Sequence, residues 1–395
     1  MTRRHALRLA SASLALPAVS ACQTTLEPGP ATPPTAVTKP SESAPAAAPP
    51  AGPADPAEAA AMVGALLVLG LPARSATDTS ARLLAEQIRQ GKAGGTVLLR
   101  HNVSDRESLL SLSELFVRAN PEVINAIDQE GGLVQRLSTD VGFEKIPRAH
   151  WVANNLSAEE ARELYFAAGQ ELREAGFNLN LAPSIDWHDP NNPVIGKHGR
   201  SFGSHPEQVA NYAGSFIAGM ESAGVATTLK HFPGHGTSRG DSHNGFVDIT
   251  STWTIAELQP FQLLANKAQV IMGGHLFHPN FSDGELPVTF SEKALRGVLR
   301  QKLGFAGVVI TDDLDMGAIR NNFSLQEAVI FALQAGNDLL LMSNSLDYDP
   351  DLPDRVAGWV VEALERGTLS PATLASAYSR VMNLKQSTRF TASIV

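Results

Sequence analysis

Residues 230–243 read Lys-His-Phe-Pro-Gly-His-Gly-Thr-Ser-Arg-Gly-Asp-Ser-His and follow directly on the apolar run 225–229. Such a run ending in Lys230-His231 reads as a buried strand that delivers polar side chains at its tip. Gly234, Gly236 and Gly240 make the continuation a loop that can turn sharply and approach a ligand closely. Asp241 and His243 lie two residues apart in it. That spacing lets the carboxylate hold one ring nitrogen while the other faces a substrate. The bland alternative is a polar loop with incidental histidines. Packing alone does not account for so many titratable groups in one stretch.

A second concentration is residues 308–316, Val-Val-Ile-Thr-Asp-Asp-Leu-Asp-Met, an apolar run that ends in carboxylates. Asp312 is a candidate nucleophile or cation ligand. Neighbours on a strand point to opposite faces, so Asp312 and Asp313 cannot share a pocket from a regular strand. Calcium-loop spacing is absent, and Asp313 and Asp315 read as acids at a helix N-terminus. Residues 127–136 end another run in Asp128 and Glu130, then turn through Gly131-Gly132 towards Arg136. Carboxylate and guanidinium together suit vicinal hydroxyls, one accepting two O–H bonds and the other donating a fork. In the irregular segment 191–203, Arg200 is the inward candidate, with a surface Arg as the alternative.

Positioning these groups requires a scaffold that brings many strand ends together. Eight apolar runs (63–70, 96–100, 123–128, 178–186, 225–231, 268–275, 308–312 and 338–342) alternate with helical patterns at 79–90, 104–119, 158–174, 206–222, 255–267, 291–302 and 325–334. Two further helical patterns, 355–366 and 371–385, follow the last run. The alternation predicts an α/β fold, a single (β/α)8 TIM-type barrel. A doubly wound sheet would want a Gly-rich phosphate turn after its first strand, which 63–72 lacks. Seven runs end in polar or ionisable residues: 100–102, 128–130, Asp186, Lys230-His231, His275, Asp312-Asp313 and Ser343-Asn344. Converging tips on the C-terminal face make a site where one alone would mean little.

Net charge is −9, from 31 Lys+Arg against 40 Asp+Glu, which argues against a nucleic-acid partner. Residues 1–21 read as an export signal: a basic head at 2–8 with a twin-arginine-like Arg3-Arg4, then an apolar stretch. Val19-Ser20-Ala21-Cys22 looks like a lipoprotein box, and Cys22, the only cysteine, is the expected lipidation site; simple cleavage after Ala21 is the alternative. Gln23 favours an outer-membrane address, so the expected place is the periplasmic side, anchored through Cys22 alone. Residues 22–56, rich in Pro and Ala, read as a disordered tether, and 57–395 as the barrel.

Asp128-Gln129-Glu130-Gly131-Gly132 with Arg136, Arg200-Ser201-Phe202-Gly203, Lys230 to Gly236 with Asp241-Ser242-His243, and Thr311-Asp312-Asp313-Leu314 with Met316 together resemble family-3 glycoside hydrolases of the β-N-acetylglucosaminidase (β-N-acetylhexosaminidase) branch. The resemblance runs from about residue 63 to 385. It implies exo-acting removal of terminal β-linked GlcNAc, from muropeptide or chitin-derived saccharides, by a retaining mechanism with a covalent glycosyl-enzyme intermediate. It assigns Asp312 as nucleophile, His243 as acid and then base, and Asp241 as its orienting partner. Asp128, Arg136, Arg200, Lys230 and His231 would hold the sugar's hydroxyls and acetamido group. No cofactor and no metal are implied, and a monomer is expected. Retaining glycosidases usually use two carboxylates roughly 5–5.5 Å apart; an Asp–His pair replacing one lessens the negative charge beside an incoming anion, so phosphate could compete with water.

The family usually carries Asp where Thr237 stands, and Leu133 and Asp315 occupy positions where basic and small polar residues are common. An exported form also departs from the cytosolic location typical of Gram-negative relatives. His235 is expected to shape the loop and to take no catalytic step. The competing readings are a β-glucosidase or β-xylosidase of the same superfamily, which resembles the chain less because it lacks the Asp-Ser-His loop, and an inactive sugar-binding lipoprotein, which would need neither Asp312 nor His243.

Overall fold

The computed structural model describes residues 50–387, so the signal segment 1–21, Cys22 and most of the tether lie outside the described residues. Eight parallel strands form the frame: β1 (Leu67–Leu69), β2 (Gly95–Leu98), β3 (Ile124–Ile127), β4 (Leu179–Asn180), β5 (Ala226–Phe232), β6 (Val270–Gly273), β7 (Val308–Thr311) and β8 (Leu340–Met342). Each pairs with the next in sequence from β1 to β7, and β8 pairs with β1. A bridge between Ile310 and Leu339 joins β7 to β8 and closes the ring. Every residue of these strands is buried. Strands covered on both sides read as unbroken apolar runs rather than as alternation, which is why the runs were visible.

The helices lie outside: α1 (Pro56–Leu66), α2 (Thr79–Arg89), α3 (Arg106–Ala119), α4 (Ala149–Asn155), α5 (Ala158–Glu174), α6 (Pro206–Ser222), α7 (Gln259–Leu264), α8 (Gly317–Arg320), α9 (Leu325–Ala335), α10 (Leu352–Glu365) and α11 (Pro371–Gln386). Residues Lys293–Lys302 form a π-helix where an α-helix was expected. α5 and α9 start in capping boxes, Ser157 with Glu160 and Ser324 with Glu327.

Two expectations are corrected. The run 63–70 is helix as far as Leu66, because Asp55 accepts the amides of Ala57 and Glu58 at 2.9 Å each and Pro56 opens an Ala-rich, helix-favouring turn. Val63 and Leu66 are buried, as strand residues would be, so an apolar run could not separate the two states. Helix α1 thus opens at Pro56, with Asp55 as its cap. The run 178–186 keeps only two regular strand residues, and after a cis Ala182–Pro183 bond it pairs again at Ser184 with Lys230.

Candidate active site

A cavity of about 580 Å³ opens at the C-terminal ends of the strands. Asp128, Arg136, Arg200, Lys230, His231, His243 and Asp312 all line it, so the barrel gathers groups spread over 185 positions of sequence. Asp241 stands behind His243, in contact with it.

The floor is built from β3 and β5. Asp128 and Glu130 are two apart and share a face, while Gln129 turns the other way and accepts the amides of Arg136 and Leu137 at 2.8 and 3.1 Å. Gly131 and Gly132, at φ +101° and +60°, make the tight reversal that returns Arg136 to Asp128. A Cβ on Gly131 would meet the Pro147 carbonyl oxygen at 2.5 Å, so the position also requires a bare backbone. Lys230 Nζ lies 2.8 Å from Asp128 Oδ1 and 2.8 Å from Glu130 Oε1. Arg200 donates two 2.8 Å bonds to Glu130, and Arg136 one of 3.3 Å to Asp128. Burial would push both carboxyls up, yet Lys230 with Arg136 holds Asp128 below the ordinary range, and Arg200 with Lys230 holds Glu130 far below it. Two carboxylates thus fix three cations in place, each with donors left for a ligand.

Asp186 organises the β5 tip. Its carboxylate is fully buried and accepts His231 Nδ1–H at 2.7 Å, Ser184 Oγ at 2.9 Å, and the amides of His231 and His235 at 3.2 and 2.7 Å. This fixes the His231 tautomer and turns Nε2 to the cavity. His235 spends Nδ1 on Ser238 (2.7 Å) and Nε2 on Ser242 (3.4 Å), and burial beside His231 lowers its pKa to about 4, so it is a neutral brace of the loop.

Asp312 sits at the β7 tip, its amide donating to Gly273 O at 3.2 Å and its Oδ1 accepting Asp313 N at 2.9 Å. Burial would raise its pKa, but His275, His231 and His243 nearby hold it below the ordinary value, and the group is an anion. His275 itself is buried and held neutral, with Nε2–H donating to Asp313 O at 3.0 Å and Nδ1 facing Thr289 Oγ1 at 2.9 Å.

His243 stands on the rim with 63% of its side chain exposed, and its Nδ1 donates to Asp241 Oδ1 at 2.7 Å. The His243 amide reaches the same oxygen at 3.0 Å, and Asn244 Nδ2 the other at 3.2 Å. Asp241 thereby leaves Nε2 as the exchanging nitrogen. The loop is carried on the β7 side, where Gly317 N and Ala318 N donate to the carbonyls of His243 and Ser242 at 3.1 Å each. A Cβ on Gly317 would lie 2.7 Å from His243 O, so this seating needs glycine.

The acidic cluster resolves differently from the expectation. Asp313 accepts Ser343 N at 2.9 Å and Asp315 accepts Asn344 N at 2.8 Å, so both tie β7 to the β8 tip rather than cap a helix. Asp313 and Asp315 both engage Ser343 while Asp312 takes the Asp313 amide, and among the described residues no group of three or more His, Cys, Asp or Glu is placed to hold a metal. Of the other tips, Arg100, His101 and Ser343 reach the cavity, while Asn102 is consumed by Leu71 O and Ala73 O. Glu130, Asp186 and His275 were not assigned roles from sequence. For Glu130 the signal was present in its same-face spacing from Asp128.

A cavity with an anionic carboxylate, a carboxylate-held imidazole and a hydroxyl-binding floor suits displacement at an acetal carbon. Residues 63–384 match the glycosyl hydrolase family 3 N-terminal domain. The chain is 34% identical over 337 residues to the β-hexosaminidase LpqI of Mycobacterium tuberculosis, covering 80% of this chain and 84% of that protein. It superposes on a family-3 β-N-acetylglucosaminidase from Paenibacillus sp. with TM-score 0.75 and 32% identity, covering 84% of this chain and 62% of that one. For a β-N-acetylhexosaminidase from Beutenbergia cavernae the values are 0.73 and 29%, over 83% and 98%. The order of motifs, the barrel that gathers them and these likenesses lead to one conclusion: the chain belongs to glycosyl hydrolase family 3.

Proposed function

We propose that this glycoside hydrolase is an exo-acting, retaining β-N-acetylglucosaminidase, and that the pairing of anionic Asp312 with an Asp241-held His243 around one cavity carries the reading. Asp312 attacks the anomeric carbon while His243 Nε2–H protonates the departing glycosidic oxygen, giving a glycosyl ester on Asp312 and a released alcohol. His243, now neutral, takes a proton from water as its oxygen attacks the same carbon, which frees Asp312 and returns His243 to its acid form. Asp241 stabilises the imidazolium from which the first step starts and to which the second returns. Asp128, Arg136, Arg200, Lys230 and His231 bind the hydroxyls and acetamido group of the terminal sugar. The β-hexosaminidase names of the relatives support GlcNAc over glucose.

The test compares aryl β-GlcNAc and aryl β-glucoside turnover by wild type, Asp312→Ala and His243→Ala. Wild type prefers the GlcNAc substrate, Asp312→Ala is inactive, and His243→Ala loses far less on acidic leaving groups than on alkyl ones. Preference for the glucoside, or unchanged turnover in Asp312→Ala, overturns the assignment. The same reading places the enzyme as a monomer outside the inner membrane, held by a lipid on Cys22.

A further inference from the structure

A second cavity, of about 550 Å³, lies beside the acid-bearing loop. Phe246, three residues beyond His243, forms part of its wall and is 49% exposed. Phe277 and Phe323 complete an aromatic lining, with Leu286 between polar Asp248, Glu285 and Asn322. The rings are braced rather than loose. Phe246 lies 5.6 Å from Phe277 at a 37° tilt, and the following residues Val247–Asp248 pair with Leu276–Phe277 in a two-stranded ribbon whose Val247 and Leu276 are buried. Phe323 packs edge-on against Phe290 at 5.4 Å. Asn321 Nδ2 reaches Asn244 O at 3.3 Å, which ties the segment carrying Phe323 to the loop carrying His243.

The position has a chemical meaning that rests on the glycosidase reading. A general acid stands on the leaving-group side of the bond it protonates, so whatever follows the scissile oxygen passes over the 241–248 loop. That loop walls the catalytic cavity with Ser242 and His243 and this second cavity with Phe246. Ring faces meet the C–H faces of pyranoses, and carboxylates and amides take their hydroxyls. The lining has two carboxylates, Asp248 and Glu285, and no cationic side chain, so it suits an uncharged saccharide and repels an acidic one.

We propose that this groove is an aglycone subsite for the reducing-side N-acetylhexosamine of an uncharged β-linked oligosaccharide. The test measures kcat/KM on N,N′,N″-triacetylchitotriose and on 4-nitrophenyl β-N-acetylglucosaminide for wild type, Phe246→Ala, Phe246→Tyr and Glu285→Gln. Phe246→Ala lowers the chitotriose-to-aryl ratio about tenfold, mainly through KM, and Phe246→Tyr restores it. Glu285→Gln, at an exposed position, lowers the ratio in the same direction by a smaller factor. An unchanged ratio in Phe246→Ala, or an equal fall on both substrates, overturns the subsite. A wild type that turns over neither substrate sinks the glycosidase reading first and the subsite with it. Two further substrates, GlcNAc β-linked to N-acetylmuramic acid and N,N′-diacetylchitobiose, read the charge: wild type handles the first less well than the second, and a Phe246-dependent preference for the first refutes the uncharged specificity.

Discussion

Glu130→Gln separates the electrostatics of the cavity floor from its shape. The substitution keeps volume and one acceptor oxygen, but turns the other into an N–H₂ facing the donors of Arg200 or Lys230. Glu130 keeps only 3% of its side chain exposed and is, among the described residues, the sole carboxylate bonded to Arg200. Removing one partner of a buried pair typically costs about 3–5 kcal/mol, since the other charge is left uncompensated. With an unfolding entropy of ~2.1 cal/mol/K per residue over about 340 residues, that is a fall of ~4–7 °C in Tm. The carboxyl ionises far more readily in the folded chain than at its ordinary value of 4.5. Its stabilisation is therefore complete above about pH 5 and drains away as pH falls below that value. Paired melts of wild type and variant give a constant gap from pH 8 to 5 that narrows below about 4.5. Because Arg200 and Lys230 lose their common anchor, kcat/KM on aryl β-GlcNAc falls roughly 10- to 100-fold. An unchanged Tm together with unchanged kcat/KM would refute the clamp.

Glu257 is 1% exposed, and burial beside Asp186 raises its pKa to about 7 against the hydrogen bonds of Thr237. A raised carboxyl loses stability for the fold as pH climbs from 4.5 to 7. Glu257→Gln is thus more stable than wild type by roughly 2–3 kcal/mol at pH 8, an advantage that vanishes towards pH 4, read by denaturant titration at both ends. Gly317→Ala pushes the His243 carbonyl out of its seat and lowers kcat about tenfold or more on alkyl aglycones, with a smaller loss on 4-nitrophenyl substrates that need little protonation. Equal losses on both would place the damage elsewhere. Cys22→Ser moves the protein from the membrane fraction to the soluble periplasmic one, and an unchanged distribution rules out the anchor.

The barrel was legible because buried parallel strands leave apolar runs that no other part of the chain imitates well. The exception, 63–66, shows the limit: a helix buried against the same core has the same composition. The groups that touch the cavity were also legible, since Asp128, Lys230, His231 and Asp312 each close a run. Their supports were not. Glu130 and Arg200 are 70 positions apart, and Asp186 and His231 are 45, and nothing local in either segment signals the other. Asp313 and Asp315 misled for the same reason, because their backbone partners lie about 30 positions downstream while a helix begins nearby. Thr237, a departure from the family pattern, donates its hydroxyl to Glu257, 20 positions away and just as invisible locally.

The joint between β7 and β8 has a consequence for how freely this sequence can drift. Around much of the ring, neighbouring strands are held by backbone ladders, which any residue can supply; β3 and β4 add Asn178 and Asn180, which take the amides of Asn125 and Gln129. Here backbone bonds such as Leu339 N to Val309 O and Thr311 N to Leu339 O are reinforced by side chains: Asp338 takes Val309 N at 2.8 Å, Thr311 Oγ1 takes Leu341 N at 3.0 Å, and Asp313 and Asp315 take the amides of Ser343 and Asn344. Structural information that β1 and β2 store in chain geometry is stored at this joint in residue identity. Asp312 stands among these four positions, so replacements that would be silent between β1 and β2 are here written directly into the placement of the reacting carboxylate.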